Sequence, residues 1–258
     1  MTQRYVIAGT DTDVGKTTFS AALMLALEEA GAQPYYWKPV QSGLESVDTR
    51  SVQDVTELPE ERFFPETYIF SEPLSPHRAA EIDEIDVDIN KLRDVSCIPE
   101  CDGTLLIEGA GGLMVPMSRK NLQINIYKKW KIPLILCART ELGTINHTLL
   151  SLEALWSRRI PIKGIAFIGE PNADNMYTIS KFSNVKVLGR LPMVEEMTAD
   201  NLLAAFKEGF EIKDFTDSSD IKNRFVSHEV TEENDNMEQL SENGEGDAFE
   251  KEKDEVHG

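Results

Sequence analysis

The sequence lacks any long hydrophobic run. A helix that crosses a bilayer needs about 20 predominantly apolar residues, and no uninterrupted stretch approaching that length occurs in the 258 residues. The first residues, MTQRYVIAG, enter a strand-like segment directly, without a basic leader or a cleavage site. These absences predict a cytoplasmic protein with no membrane partner.

Cysteine and positive charge are also scarce. The three cysteines, Cys97, Cys101 and Cys137, include no CxxC pair, and this argues against a disulfide framework and against a zinc site. Lys and Arg number 26 against 45 Asp and Glu, which gives a formal net charge of −19. So negative a chain is poorly suited to bind nucleic acid or an anionic membrane non-specifically.

The negative charge is concentrated near the C-terminus. Residues 211–258 contain 16 acidic and 5 basic side chains, a net −11, which leaves −8 for residues 1–210. Large apolar side chains are few there, and such a composition buries too little surface to offset the entropy of ordering. We predict one folded domain over 1–210 and an acidic, disordered tail over 211–258. Two roles stay open for the tail, namely solubility alone or binding of a partner.

Apolar runs alternate with helical patterns along the predicted domain. The runs predict strands at 4–8, 33–40, 103–108, 132–138, 162–168 and 185–188, and 3.6-residue periodicity predicts helices at 17–30 and 146–157. Residues 46 to 90 are expected to be irregular or helical, and their Pro-rich part FSEPLSPH cannot form a regular helix. Unbroken apolar strands alternating with helices indicate an α/β protein, a P-loop three-layer fold whose mostly parallel central sheet is covered by helices on both faces.

A glycine-rich loop, GTDTDVGKT, lies between the first predicted strand and the first predicted helix. It is a variant of the phosphate-binding pattern GxxxxGK[ST], because Thr10 stands at the first glycine position and the glycine is Gly9. Gly15 permits close approach of the backbone, Lys16 can reach the β- and γ-phosphates, and Thr17 offers a hydroxyl to Mg²⁺. The loop predicts nucleotide binding, with an ordinary glycine turn as the alternative.

Further charged residues fall at the ends of neighbouring strands. Lys38, in KPVQSG, is a candidate second cation for a phosphoryl group in transfer, and Glu108, before GAGG, is placed like an acid that holds Mg²⁺. A surface lysine and a structural acid are the respective alternatives. In the loop itself Asp11 and Asp13 are extra acids, of which Asp11 is the more interesting because a metal ion or an amine ligand would lie beside it.

At this point the motifs carry a family resemblance. GTDTDVGKT, KPVQSG, SPHRAAE, EGAGGLMVP and ELGTINHTLLS resemble, in order and spacing, the signature segments of the dethiobiotin synthetase family over about residues 1–194. The resemblance implies an ATP-dependent ligase of biotin biosynthesis. Such enzymes convert 7,8-diaminononanoate and CO2 into a cyclic urea, using Mg²⁺ and ATP, through a carbamate and a phosphorylated carbamate. No covalent bond to the enzyme is needed, so positioning and charge neutralisation carry the catalysis.

The resemblance also implies roles for individual residues. Catalytic roles fall on Thr12, Lys16 and Lys38. Nucleotide binding falls on Asp13, Val14, Gly15, Lys16, Thr17, Thr18, Gly189, Leu191 and Pro192. Substrate binding falls on Thr12, Ser42, Gly111, Gly143, Thr144, Ile145 and Asn146. Mg²⁺ binding falls on Thr17, Asp48 and Glu108, with Asp54 as an alternative to Asp48. Replacing Lys16 or Lys38 with alanine is then expected to nearly abolish activity and to leave the fold intact.

The family is typically a homodimer with its active site at the interface. There the substrate carboxylate meets the N-terminus of a helix from the partner subunit, a role that falls here on the segment ELGTINH. The positive end of a helix dipole and its free N–H groups suit a carboxylate, although an ordinary N-cap would give the same sequence. His147 is interpreted as a helix-surface or interface residue rather than a catalyst.

Two features depart from the family pattern. An asparagine that reads adenine would fall on Ile168 or Gly169, with Asn172 beyond it, so base selectivity is expected to be looser. The acidic tail also extends past the usual family ending. Two other classes of protein fit the sequence less well. Amidotransferases of the cobyrinate type would need a further glutaminase domain. Partitioning ATPases carry a second lysine in the loop, where this chain reads TDTDVGK.

Overall fold

A seven-stranded sheet forms the centre of the protein in the computed structural model, which describes residues 2–217. Its strands are β1 (Gln3–Gly9), β2 (Pro34–Trp37), β4 (Phe63–Phe64), β6 (Thr104–Gly112), β9 (Leu134–Arg139), β10 (Ile162–Ile168) and β11 (Val187–Leu191). Their order is β11-β10-β9-β1-β6-β2-β4, and every neighbouring pair is parallel. Two small sheets pair β3 (Val40–Ser42) with β5 (Tyr68–Phe70) and β7 (Pro116–Ser118) with β8 (Asn121–Leu122).

Helices cover both faces of the central sheet. They are α1 (Lys16–Glu29), α2 (Asp48–Thr56), α3 (Pro76–Ile82), α4 (Ile89–Arg93), α5 (Ile124–Trp130), α6 (Thr144–Trp156), α7 (Ala173–Ser183), α8 (Ala199–Gly209) and α9 (Lys213–Thr216). Apolar side chains of α1, α2, α8 and α9 share one core, and those of α3 to α7 share the other. The predicted three-layer α/β fold is confirmed.

The two cores arise from the alternation of side chains along each strand. In β1, Tyr5 and Ile7 enter the core beneath α1, whereas Val6 and Ala8 enter the opposite core. All four are essentially buried. A strand buried on both faces needs an unbroken apolar run, because successive side chains point to opposite faces. The same rule explains why the apolar runs in the sequence predicted the central strands.

The predicted strand over 33–40 is divided in two by Pro39. Residues Pro34–Trp37 belong to the central sheet, and Val40–Ser42 pairs with β5 in a separate sheet. Proline has no N–H to donate to a strand ladder, so a regular strand does not continue through it. The break places Lys38 just beyond the central sheet. Its ammonium group is therefore presented at the C-terminal edge, where ligands of open α/β sheets bind.

Other predicted boundaries were wrong. The last strand runs over Val187–Leu191, not over 185–188, so part of the GRLP segment lies in the sheet. Residues 46–90 contain two short strands, β4 and β5, besides the expected helices. FSEPLSPH is non-helical over 70–75, and α3 begins at Pro76, which occupies the first turn, where a missing N–H costs nothing.

Folded structure continues past residue 210, where the domain was predicted to end. Helix α9 lies beyond it, and Phe215 is completely buried against Phe19, Phe206 and Phe210. The Tyr5 hydroxyl donates a hydrogen bond of 3.1 Å to the Phe215 carbonyl oxygen. The acidic average of the segment concealed a single aromatic residue that packs into the core. The described fold therefore includes residues up to 217, and the rest of the predicted tail, 218–258, lies outside the described residues.

Two further features of residues 2–217 bear on the sequence analysis, namely membrane-spanning helices and cysteines. Within that range no helix is both long enough and apolar enough to cross a membrane. The three cysteines are free thiols: Cys137 is buried, and Cys97 and Cys101 are half-buried. Burial raises the pKa of each thiol above its ordinary value.

Candidate active site

The loop between β1 and α1 has the conformation of a phosphate-binding loop. Gly15 has a φ of +89°, and a Cβ there would lie 2.9 Å from Ile168 Cγ2. A Cβ on Gly9 would lie 2.7 Å from the Asp11 carbonyl oxygen. Both positions therefore require glycine. Gly15 caps α1 without a side chain, which leaves the first N–H groups of the helix available to an anion.

Lys16 extends along this loop. Its side chain is largely buried, and Nζ lies 3.4 Å from the Asp11 carbonyl oxygen. This is a weak contact, at the long end of hydrogen-bond distances. The ammonium group is thus held over the loop by little besides one carbonyl group. The arrangement is compatible with transfer of Lys16 to a phosphate oxygen at small cost.

Two carboxylates meet at the Thr17 hydroxyl. Thr17 Oγ1 lies 2.8 Å from Glu108 Oε1 and 3.2 Å from Asp48 Oδ1. Glu108, at 0% exposure, also accepts a hydrogen bond of 2.8 Å from Ser20 Oγ. These three oxygen-bearing side chains come from α1, the start of α2 and β6. Mg²⁺ prefers oxygen ligands and keeps several waters or phosphate oxygens, so one hydroxyl and two carboxylates fit it.

Asp48 rather than Asp54 reaches this cluster. Asp54 is on the exposed side of α2, where its carboxylate lies 3.8 Å from Arg50 Nε, and both side chains are mostly in solvent. Asp48 is the first residue of α2, and Asp54 follows six positions later. At 100° per residue the two side chains point in clearly different directions from the helix axis. The geometry favours Asp48 as the second acid.

Lys38 lies between the two acids. Its Nζ forms an ion pair with Asp48 and lies 3.4 Å from Glu108 Oε1, and the residue is only 5% exposed. Burial by itself disfavours the charged ammonium. The Coulombic attraction of Glu108 and Asp48, together with their hydrogen bonds, exceeds this penalty and raises the pKa of Lys38 above its ordinary 10.5. Lys38 is therefore a buried permanent cation at neutral pH.

Arg139, at the end of β9, holds the other side of the loop. Its Nη2 lies 3.1 Å from Asp11 Oδ2 and 3.2 Å from the Thr12 carbonyl oxygen. The Thr12 side chain lies beside Gly111, where an added Cβ would be 3.1 Å from Thr12 Oγ1. Thr12 and Gly111, both predicted to bind substrate, are thus neighbours. The Asp11 carboxylate forms an ion pair with Arg139.

Ser42 ends β3, four residues after Lys38. Its Oγ is buried and has no hydrogen-bond partner within residues 2–217. A buried hydroxyl without a partner is costly, so such atoms are commonly paired by water or a ligand. The preceding Gln41, 3% exposed, fills the turn that leads from β3 to Asp48.

The start of α6 is open to solvent. Gly143, with a φ of +93°, precedes the helix, and Thr144 Oγ1 donates a hydrogen bond of 2.5 Å to the Arg139 carbonyl oxygen. Ile145 is half-buried and Asn146 is exposed. The four residues predicted to receive the substrate carboxylate therefore all lie at the N-terminus of α6, where the Thr144 N–H donates to the Glu141 carbonyl oxygen. Arg139 connects this helix to the phosphate-binding loop.

The region expected to bind the base contains no amide at its predicted position. Ile168 packs under Gly15, and the Gly169 carbonyl oxygen accepts a hydrogen bond of 2.7 Å from Arg190 Nη1. Asn175 carries the neighbouring side-chain amide, and its Nδ2 donates a hydrogen bond of 3.0 Å to the Thr140 carbonyl oxygen.

The remaining predicted nucleotide ligands differ in what their side chains can contact. Leu191 is completely buried, so its side chain cannot touch a nucleotide. Gly189 is fitted against the C-terminus of α8, because a Cβ there would overlap the Gly209 carbonyl group. Pro192 is half-buried, and Val14 is buried within the loop. Asp13, in a left-handed conformation, and Thr18, on the first turn of α1, complete the set.

Three residues of the site, Ser20, Gln41 and Arg139, and one residue beside it, Gln123, had not been assigned a role from the sequence. Ser20 had a signal, since it follows Thr17 by three positions and so shares its helix face. Arg139 had one as well, as a cation at the end of a predicted strand. Gln123 had no such signal. It accepts a hydrogen bond of 2.8 Å from the Ala110 N–H and donates hydrogen bonds to the Ala110 and Gly112 carbonyl groups.

Known proteins resemble this chain over most of its length. A family model described as an AAA domain matches residues 3–201. An ATP-dependent dethiobiotin synthetase BioD of Afipia carboxidovorans is 51% identical over 217 residues, covering 84% of this chain and 100% of that protein. The synthetase of the same name from Rhodopseudomonas palustris is 49% identical over 83% of this chain and 97% of its own length. The Brucella anthropi synthetase is 47% identical, covering 85% of this chain and 100% of its own length.

Solved structures show the same fold at much lower identity. The septum site-determining protein MinD of Pyrococcus horikoshii, complexed with Mg-ADP, superposes with a TM-score of 0.53 at 15% identity, covering 81% of this chain and 96% of that chain. Identity this low supports the fold alone. Identity near one half over almost the whole length of the curated relatives shows more. The chain is a member of the ATP-dependent dethiobiotin synthetase family.

Proposed function

We propose that this chain is a dethiobiotin synthase of biotin biosynthesis, which forms a cyclic urea from 7,8-diaminononanoate, CO2 and ATP. One observation carries the proposal: Lys16, Lys38 and the cluster of Thr17, Asp48 and Glu108 meet at one edge of the sheet, in front of the phosphate-binding loop. This is the set of charges that phosphoryl transfer to a carbamate requires.

The reaction proceeds in three steps. One amine of the substrate attacks the carbon of CO2 and loses a proton, which gives a carbamate. A carbamate oxygen attacks the γ-phosphorus, and the bond to the β-phosphate oxygen breaks, so that ADP leaves. The second amine attacks the carbonyl carbon of the phosphorylated carbamate, the C–O bond breaks, and phosphate and a proton leave. Each step needs a fixed arrangement of reactants more than an enzyme nucleophile.

The residues of this chain divide this work. Lys16 neutralises charge on the β- and γ-phosphates, and Lys38 neutralises charge on the carbamate and the transferred phosphoryl group. Thr12 Oγ1 and the unpaired Ser42 Oγ supply hydrogen bonds to the carbamate. Thr17, Asp48 and Glu108 would hold Mg²⁺. When bound, that ion supplies charge neutralisation to the phosphate oxygens.

Few polar side chains are available to select the base of the nucleotide. The position of an adenine-reading asparagine is taken by Ile168, and the neighbouring Asn175 is bonded to Thr140. Backbone groups near Gly169 and Pro192 remain to contact a base. We therefore expect other nucleoside triphosphates to replace ATP with modest loss, because a hydrogen-bonding pocket is what rejects an analogue strongly.

A homodimer in the cytoplasm completes the proposal. The exposed N-terminus of α6 lies beside Leu142, which is fully exposed, and Leu150, which is 61% exposed, lies one helix turn after solvent-facing Asn146. Large apolar side chains in the open are typical of interaction surfaces when they cluster. A second copy of the chain would cover them and bring its own α6 N-terminus to the substrate carboxylate.

Product identification tests the proposal. The purified full-length chain is incubated with 7,8-diaminononanoate, ¹³C-bicarbonate, Mg²⁺ and each of several nucleoside triphosphates. Mass spectrometry is expected to show dethiobiotin carrying one ¹³C atom, in amounts equal to the phosphate released. Phosphate release that does not depend on the diamine, or a product without the label, would refute the ring-closing activity. The relative rates with the different nucleotides test the looser base selection separately.

A further inference from the structure

A buried amide lies between the second lysine and the first acid of α2. Gln41, 3% exposed, points its side-chain nitrogen at three carbonyl oxygens of the turn that follows. The distances from Nε2 are 3.0 Å to the Ser42 oxygen, 3.2 Å to the Gly43 oxygen and 3.2 Å to the Ser46 oxygen. One side chain thus gathers the backbone of residues 42–46 around itself.

The same amide also contacts the beginning of α2. The residue before the helix is Val47, which has no polar side chain with which to cap it. Gln41 Oε1 lies 3.4 Å from the Asp48 N–H, the first N–H of the helix. A remote side chain therefore stands where an N-cap residue would otherwise satisfy an unpaired helix donor. This contact is long, but together with the three bonds from Nε2 it joins the turn of residues 42–46 to Asp48, the residue whose carboxylate contacts Thr17 and Lys38.

We propose that Gln41 is a positioning residue for the metal site: it holds Asp48 at the start of α2 so that its carboxylate points to Thr17 Oγ1 and Lys38 Nζ. Within residues 2–217 no other side chain accepts a hydrogen bond from the Asp48 N–H, and the Asp48 carboxylate is 24% exposed. Glu108, in contrast, is held by the ladder of β6 and by Ser20. The inference rests on the proposed Mg²⁺ role of Asp48.

Gln123 provides a matched control within the same chain. It is equally buried, at 4% exposure, and it makes three hydrogen bonds to the backbone of a neighbouring segment, 110–112. It contacts neither Asp48 nor its turn among the described residues. Loss of either amide removes a comparable set of bonds. Only loss of Gln41 is expected to release the acid.

The experiment measures binding of Mn²⁺ to the complex of the full chain with ADP, by the decrease in the electron paramagnetic resonance signal of free Mn²⁺. Gln41→Ala is expected to weaken Mn²⁺ binding about tenfold, the scale found for residues that orient metal ligands. Gln123→Ala and Asp54→Asn are expected to change it less than about twofold. Melting temperatures measured without metal show how much of each variant is folded. Gln41→Asn, which keeps the amide but shortens its reach, gives a smaller loss and replaces Gln41→Ala if that variant is unfolded.

A double-mutant cycle separates positioning from general destabilisation. If Gln41 acts through Asp48, Gln41→Ala has no further effect on Mn²⁺ binding once Asp48→Asn is present. Additive losses, or equal losses in Gln41→Ala and Gln123→Ala, would overturn the proposal. Formation of dethiobiotin by the wild-type chain is measured independently, so failure of this inference is distinguishable from failure of the proposed function.

Discussion

At the scale of single residues, the site is a balance of buried charges. Lys38 is the protein cation nearest to both acids, and Glu108 is completely removed from solvent. Breaking a buried ion pair by removing one partner costs more than the pair itself contributes, because the remaining charge is left without compensation. Lys16 differs, since its ammonium contacts only one carbonyl oxygen among the described residues.

Lys38→Ala and Lys16→Ala are therefore expected to differ in stability, although both remove a charge needed in the transition state. The first should lower the free energy of unfolding by about 3–5 kcal/mol, and the second by less than about 1 kcal/mol, since it leaves no unpaired buried charge. The intact fold expected for Lys38→Ala from the sequence alone is thereby revised. Urea unfolding measures the difference, and equal stabilities of the two variants would contradict it.

Both variants should lose most of the diamine-dependent phosphate release, by roughly 3 kcal/mol or more of transition-state stabilisation. Retention of more than about a tenth of activity, a loss below ~1.4 kcal/mol, would remove that lysine from the mechanism. The pKa of Lys38 is raised above 10.5, so its contribution to stability is full at neutral pH. That contribution is lost only as pH rises through the elevated value.

The sequence predicted which residue types would form the site better than it predicted their arrangement. Lys38 follows a strand, Lys16 and Thr17 open a helix, and Glu108, predicted to end its strand, lies within β6. Parallel strands bring such positions towards one edge. The choice between Asp48 and Asp54 depended on where α2 begins, which the five residues between β3 and the helix do not reveal. Contacts such as that of Arg139 with the loop join segments far apart in sequence. No local pattern specifies these contacts.

At the scale of elements, strand and helix types were predictable because burial on both faces demands apolar runs. Boundaries depended on contacts between elements. The strand β11 continues through GRL because Gly189 and Arg190 pair with β10, and Gly189 fits against the end of α8. The sequence Gly-Arg-Leu-Pro by itself does not show that another backbone fits closely against this strand.

Gly189→Ala is expected to destabilise the protein strongly. A Cβ would overlap the Gly209 carbonyl group and lie 2.6 Å from Phe210 Cδ1. The combined overpacking and backbone strain should cost about 3 kcal/mol or more. Gly31→Ala is the control, because Gly31 also has a positive φ, of +71°, but nothing lies within 4 Å of its Cβ position. It should cost about 1–2 kcal/mol from backbone strain alone. Equal changes in urea unfolding for the two variants would show that packing against α8 is unimportant.

At the scale of the whole molecule, the folded unit is larger than composition suggested. Residues 211–217 belong to an acidic segment, yet α9 closes the core beneath α1 and α8. The dethiobiotin synthetase of Afipia carboxidovorans is matched over its full length by 217 residues of this chain.

Two truncations test this boundary. A chain that ends at Asp217 should unfold at the same urea concentration as the full chain. A chain that ends at Phe210 loses the burial of Phe215, worth about 2–3 kcal/mol, and also the acceptor of the Tyr5 hydroxyl. It should therefore unfold at a clearly lower urea concentration. If both shortened chains match the full-length protein, α9 does not contribute to the fold.

The proposed dimer makes the last prediction. Leu150→Asp on α6 should yield a monomer by size-exclusion chromatography with light scattering, because a charge would replace a 61%-exposed apolar contact at the interface. Loss of the partner's helix N-terminus should raise the KM for the diamine about tenfold, since such a terminus contributes up to ~2 kcal/mol to carboxylate binding. The KM for ATP should change little, because the phosphate-binding loop lies within one subunit. Val95→Asp, at a 46%-exposed apolar position away from α6, serves as the control. A Leu150→Asp variant that remains dimeric, or a monomer with an unchanged KM for the diamine, would exclude a carboxylate site formed across this interface.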